Sequence, residues 1–183
     1  MTKINKISRF KTKLLRPLDA GSEVSWAFII LPKDVSKKLP RRGRTSIEGA
    51  INDHFFTAML EPDGQLSHWL QINKKLLKAA GAKIGDIAAF EIMPVEKEPE
   101  PEVPSDLREA LAASSEAQAI WNATTTIARL DWIHWVTSAK QSETRALRLS
   151  NACDMLASGK RRVCCFDPSG YYSKAFSAPK AMD

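Results

Sequence analysis

"MPVEKEPEPEVPSD", Met93 to Asp106, decides how the rest of the chain is read. Four prolines and four glutamates in one short stretch leave little to bury, and the carboxylates repel one another, so the segment reads as an extended, stiff connection. A domain boundary is expected there: a first domain over residues 1–95, an acidic proline-rich linker over 96–104 and a second domain over 105–183. A chain of 183 residues can supply two small cores, and no solenoid-type period repeats along it.

Upstream of the linker the signals are mostly those of strands. "ISRFKTKLL" is a candidate first strand, and "VSWAFIIL", Val24 to Leu31, is a continuous apolar run closed by Pro32, as a buried strand requires. "PKDVSKKL" reads as one short helix with Asp34 placed to cap its free amides. Thr45, Ile47, Gly49 and Ile51 alternate with Ser46, Glu48 and Ala50, and "HFFTAML" returns after Asn52-Asp53, two residue types that tolerate left-handed turn geometry. "SHWLQI" is a further strand. "NKKLLKAAG" is a two-turn helix capped by Asn73 and stopped by Gly81, and "KIGDIAAFEI" supplies a tight turn and a last strand. About six short strands at this spacing favour a small closed barrel over an open sheet.

Downstream the period becomes helical. "SDLREALAAS" carries Asp106 and Glu109 in capping-box spacing, and "SEAQAIWNA" repeats the device with Ser115 and Gln118. "TTTIARLDWIHWVTSAK" is apolar on most faces and reads as a central helix. In the next helix Ala146, Leu149, Cys153 and Leu156 share one stripe, and Gly159 ends it. The final "RRVCCFDPSGYYSKAFSAPKAMD" has no helical period and reads as an arm laid over the body with a mobile end. The fold class is thus α+β, a small β-barrel followed by a small helical bundle.

The formal charge is +6, and the excess lies before residue 96, where Lys and Arg outnumber Asp and Glu by 16 to 9. Five cations, Lys37, Lys38, Arg41, Arg42 and Arg44, fall within "KKLPRRGR". They read first as a solvated connection and second as a loop able to contact phosphates by counterion release. Neither a signal-peptide core nor an apolar run long enough to span a membrane is present, so a cytoplasmic location is expected.

Catalytic signals are sparse. His54, His68 and His134 fall in no metalloprotease-type pattern, although Asp131 and His134 share a helix face at a spacing of three. Cys153, Cys164 and Cys165 lack the paired spacing of a zinc site and read as reduced, buried, apolar side chains. Trp121, Trp132 and Trp135 read as core, and Trp26 and Trp69 as barrel residues; one of Tyr171 and Tyr172 is expected to anchor the arm. No phosphate loop, dinucleotide fingerprint or nucleophile elbow occurs, so no cofactor, no metal and no catalytic residue is assigned.

"GRTSIEGAINDHFFTAML", "SHWLQINKKLLKAAGAKIGDIAAFEI" and "WIHWVTSAKQSETRALRLSNACDMLASGKR" together resemble the bacteriocin-protection or OmpD-associated family in its version with an N-terminal domain of unknown function. The likeness spans most of residues 8–165. It is most specific at Ala139-Lys140, Glu143-Thr144-Arg145, Met155-Leu156 and Gly159-Lys160. The resemblance implies a double-split β-barrel and a compact helical domain, with no catalytic residues to carry over. A fainter likeness of "INKKLLKAAGAKIGDIAAFEI" to AbrB-type DNA-binding barrels is one of fold. The expected function is a non-enzymatic binding or stress-protection module that recognises a protein or other macromolecule. The alternatives are a nucleic-acid binder using the basic loop, and a small-molecule enzyme with a site between the domains.

Overall fold

The computed structural model describes residues 7–18, 21 and 24–182. Contacts divide the chain into two compact units, Met1–Lys97 with Ser169–Asp183, and Glu98–Pro168. The closing segment from Ser169 therefore packs with the first unit, whereas the sequence reading attached it to the helical domain.

The first unit is a six-stranded antiparallel sheet that curls into a half-barrel. Its strands are β1 (Ser8–Lys13), β2 (Ala27–Ile30), β3 (Thr45–Ile51), β4 (His54–Pro62), β5 (His68–Ile72) and β6 (Ile87–Pro94), in the order β1-β6-β3-β4-β5-β2. Beyond the end of β1, Leu15 and Phe28 exchange both backbone hydrogen bonds at 2.9 and 3.0 Å, so the two outermost strands meet at that bridge. Alternation decides which residues face inward: Ile47, Ile51, Leu60, Leu70, Ile72, Phe90 and Ile92 are buried in one core with Leu14 and Ile29. Phe10 stacks on Phe90 with ring centroids 5.4 Å apart, on the register of their paired strands. Between β3 and β4, Asn52 and Asp53 have φ of 45° and 67°, the two positive values of a type I′ turn, so Asp53 replaces the customary glycine without changing the turn.

Two short helices join the strands. α1 (Lys33–Ser36) starts after Pro32 with no side-chain cap, so the expected role of Asp34 is not realised; proline presets the entry instead. α2 (Lys74–Ala79) is capped as expected, with Asn73 accepting from the Leu76 amide at 2.8 Å and Gly81 leaving it at φ 64°. The C-terminal segment adds a short antiparallel pairing, in which the Leu18 amide donates to Lys180 and the Met182 amide donates to Arg16, both at 2.8 Å.

The second unit is helical, with α3 (Ser105–Ala112), α4 (Ser115–Ala123), α5 (Thr126–Thr137) and α6 (Ser142–Ala157) around a core of Leu107, Leu111, Trp121, Trp132, Val136 and Leu156. α5 buries residues on most of its circumference, as its composition demands. The caps lie elsewhere than the capping-box spacing placed them. Ser114, not Ser115, caps α4, and Asp106 sits inside α3 rather than before it. That position frees the Asp106 carboxylate for Arg145 of α6, whose Nε and Nη2 donate at 2.7 and 3.1 Å. The linker is likewise less detached than its composition suggests: Glu98 is buried, and Glu100 receives Nε and Nη2 of Arg129 at 2.6 and 2.9 Å. Among the described residues no helix is long and apolar enough to cross a membrane.

Candidate functional site

The cation loop was the site the sequence singled out, and its five side chains divide into two groups. Lys37 and Lys38 are exposed, while Arg41, Arg42 and Arg44 are half-buried. Helix α1 is only one turn long; its Ser36 carbonyl accepts from the Leu39 amide at 3.0 Å, and the carbonyls at this end keep second lone pairs for other donors. Arg42 supplies them: its guanidinium donates to the carbonyls of Ser36 and Leu39, to the Ser36 hydroxyl at 3.0 Å and to the Leu66 carbonyl. Burial lowers its pKa from the ordinary arginine value. Arg44 pairs with Glu61 on β4 at 2.9 Å, and Arg41 donates to the Arg44 carbonyl. Three of the five expected anion contacts are thus engaged in building the connection between α1 and β3.

Ser36 and Arg42 meet a residue that no local pattern marks. His68, at the start of β5, is fully buried; its Nε2 donates to the Gly43 carbonyl at 2.8 Å, which leaves Nδ1 to accept from the Ser36 hydroxyl at 2.8 Å. Burial holds this imidazole below the ordinary histidine pKa; the Gly43 hydrogen bond opposes that and the nearby Arg42 charge adds to it. Around it, Asp63 accepts from the Gln65 and Ser67 amides at 2.8 Å, Ser67 donates to Leu31, and Thr45 donates to Gly43. The serine-histidine contact has the spacing of a nucleophile and its base. With both members at 0% exposure, no substrate atom reaches the hydroxyl, and the arrangement acts as a clamp between α1, the basic loop and the β4–β5 turn.

The open surface of this unit lies on the outer face of β1, β6, β3 and β4. One row crosses all four strands in register: Arg9, Glu91, Ala50 and Phe55. Arg9 donates to Glu91 at 2.8 Å, Ala50 is too small to fill its place in the row, and Phe55 is 64% exposed. A cleft of about 520 Å³ opens there, lined by Arg9, Lys11, Asn52, Asp53 and Ala89 among others. A smaller groove of about 90 Å³, bounded by Ile7, Phe55 and Met93, adjoins it at Ala50 and Glu91. The face thus presents paired opposite charges beside an apolar lip, not a field of one sign.

In the helical unit His134 is buried, edge-on to Phe166 at 5.3 Å. Trp121 and Trp132 are core as expected, and the half-buried Trp135 packs beside them with the Arg148 guanidinium 5.4 Å from its ring centroid. The cysteine expectation is corrected: Cys164 and Cys165 are exposed and Cys153 is half-buried. Cys153 lies in α6 and packs against the helical core, whereas Cys164 and Cys165 sit in the loop after α6, which turns at Cys165 with φ 60°.

Comparison with known families matches residues 100–159 to the family described as "Bacteriocin-protection, YdeI or OmpD-Associated" and residues 10–92 to the domain of unknown function DUF1905. The two matches fall one on each unit of the structure. No curated protein matches the chain.

Proposed function

We propose that this chain, which belongs to the bacteriocin-protection, YdeI or OmpD-associated family and carries a DUF1905 domain in front of it, protects by binding rather than by catalysis, and that it grips a polypeptide on the outer face of its sheet. The observation that carries this reading is the row Arg9–Glu91–Ala50–Phe55. Charges of both signs within hydrogen-bonding distance suit the mixed groups of a peptide, an exposed phenyl ring supplies the apolar anchor, and the small Ala50 and Ala89 let a partner backbone approach the sheet.

A polyanion draws less support, because the arginines of the basic loop serve the fold and only Lys37 and Lys38 project freely into solvent. A catalytic reading would rest on Ser36 and His68, which are sealed. The curled sheet joined at Leu15 and Phe28 fits a double-split barrel, and the exposed adjacent thiols fit a reducing, cytoplasmic setting. The test is a protection assay: cells expressing the wild-type chain or a Phe55→Asp/Arg9→Glu double variant are challenged with bacteriocins and antimicrobial peptides. The double variant should fold with an unchanged Tm and lose protection; full protection by the folded variant would refute the reading.

A further inference from the structure

The loop after α6 holds two adjacent cysteines in an arrangement that ordinary chain geometry does not produce. In extended backbone, neighbouring side chains point to opposite sides. Here Cys165 has φ 60°, a left-handed value that non-glycine residues seldom take, and the turn brings both sulfurs to one side, 3.3 Å apart and exposed.

The loop is anchored on both flanks. The Arg161 carbonyl accepts from the Trp132 indole at 3.2 Å and from the Thr124 hydroxyl at 2.9 Å, and Arg161 donates to the Ala123 carbonyl at 3.2 Å. Val163 packs on the helical core, and Phe166 lies edge-on to His134. The thiol pair is therefore presented by fixed neighbours rather than by a loose tail.

We infer that Cys164 and Cys165 form a two-sulfur chelating site for a trivalent metalloid ion of the arsenous type. The spacing selects among thiophilic ions. Two sulfurs 3.3 Å apart, each about 2.3 Å from a bound ion, subtend roughly 92° at it, well short of the tetrahedral angle that zinc requires. A trivalent metalloid, whose lone pair compresses its bond angles towards a right angle, fits the bite. Among the described residues no group of three or more His, Cys, Asp or Glu side chains is placed to hold a metal, so the third position falls to hydroxide or a small free thiol. The reaction is a condensation without change of oxidation state: two As–O bonds break, two As–S bonds form, and each thiol proton leaves with a hydroxide as water. Neutral thiols are the reactants, and Cys164 keeps the Cys165 thiol above its ordinary pKa.

Phenylarsine oxide, which takes two thiols at one arsenic, is the probe. Reduced full-length protein is titrated with it and followed by intact mass and by maleimide counting of free thiols. The expected result is one adduct per chain, with a mass gain of one reagent less one water, and two of the three thiols protected. Cys164→Ser and Cys165→Ser should each weaken binding by about 100-fold or more, through loss of the chelate, while Cys153→Ser leaves it unchanged. Because adjacent cysteines in any flexible chain capture this reagent to some degree, the same titration is run in urea. The folded protein should bind about tenfold more tightly than the unfolded one, through preorganisation of the pair. Equal affinity in the two states, or an adduct undiminished in either serine variant, would overturn the inference.

Discussion

Ser36 donates its hydroxyl proton to Nδ1 of His68 across 2.8 Å, and both residues are closed off from solvent. The hydroxyl oxygen also accepts from Arg42, so removing it leaves two polar groups without their partner. Ser36→Ala should therefore destabilise the protein by about 1–3 kcal/mol, the range for stranding a buried polar group. Urea unfolding checks this, and a change within error would mean that the clamp does not hold the loop.

The same imidazole makes stability pH-dependent. Burial depresses its folded pKa below the unfolded value near 6.5, so the folded state resists a proton that the unfolded state accepts. The sign follows directly: the contribution is fully present above about pH 6.5 and is lost as pH falls from there towards the folded pKa, by at most about 1.4 kcal/mol per pH unit. Asp63 attenuates the effect, and Arg41 and Arg42 reinforce it. Unfolding of wild type and of His68→Gln between pH 5 and 8, a range of about three units around that value, tests it. The variant should be less stable throughout yet lose the slope, and a persisting slope would assign it to other groups.

Arg42 and the two exposed lysines share one loop but should behave oppositely. Arg42→Ala strips donors from the end of α1 and should destabilise by about 1–3 kcal/mol. A Lys37→Ala/Lys38→Ala double variant touches only solvated side chains and should stay within about 0.5 kcal/mol of wild type. Retention on heparin across a salt series completes the comparison. The double variant should elute slightly earlier, while the Arg44–Glu61 pair keeps Arg44 from adding to retention.

Local pattern made much of this fold legible. The apolar run before Pro32, the alternation through Ile51, the Asn52-Asp53 turn and the Asn73 cap all express preferences that act over a few residues, and each element forms where those preferences place it. The candidate site was not legible in the same way. Ser36 and His68 are 32 residues apart, joined only when β5 pairs beside the loop, and no spacing encodes that. Arg42 looks in sequence like any solvated cation; its role follows from the shortness of α1, whose end leaves carbonyl lone pairs open to a side-chain donor. Asp106 matched a cap motif, yet it lies inside the first turn of α3, where its carboxylate accepts from the Leu107 amide at 2.9 Å and also pairs with Arg145 of α6, a partner that no local pattern encodes. The adjacent cysteines, expected in the core, are exposed because the loop turns at Cys165, a conformation that side-chain polarity does not announce.

Gly64 shows how the closing segment is held, and it offers the last test. It lies in the turn between β4 and β5 with φ 74°, buried, and a Cβ there would run into the Phe176 carbonyl. Close packing of the segment thus depends on a missing side chain in two ways: the backbone angle disfavours any other residue, and the space behind it is already taken. Alanine at this position would have to twist the turn or push Phe176 away. Because Gly170 packs as tightly on the Phe176 ring, the segment cannot slide locally to relieve the strain. Gly64→Ala should destabilise the first unit by more than about 1 kcal/mol and expose the stretch around Lys174 and Lys180 to trypsin. Limited proteolysis with mass mapping reads this directly. Phe176→Ala supplies the comparison: it removes the ring on which Gly170 packs but keeps the backbone carbonyl in front of Gly64, so Gly64→Ala should still raise cleavage when added to Phe176→Ala. Wild-type cleavage in Gly64→Ala would mean that the turn takes a side chain without displacing the segment.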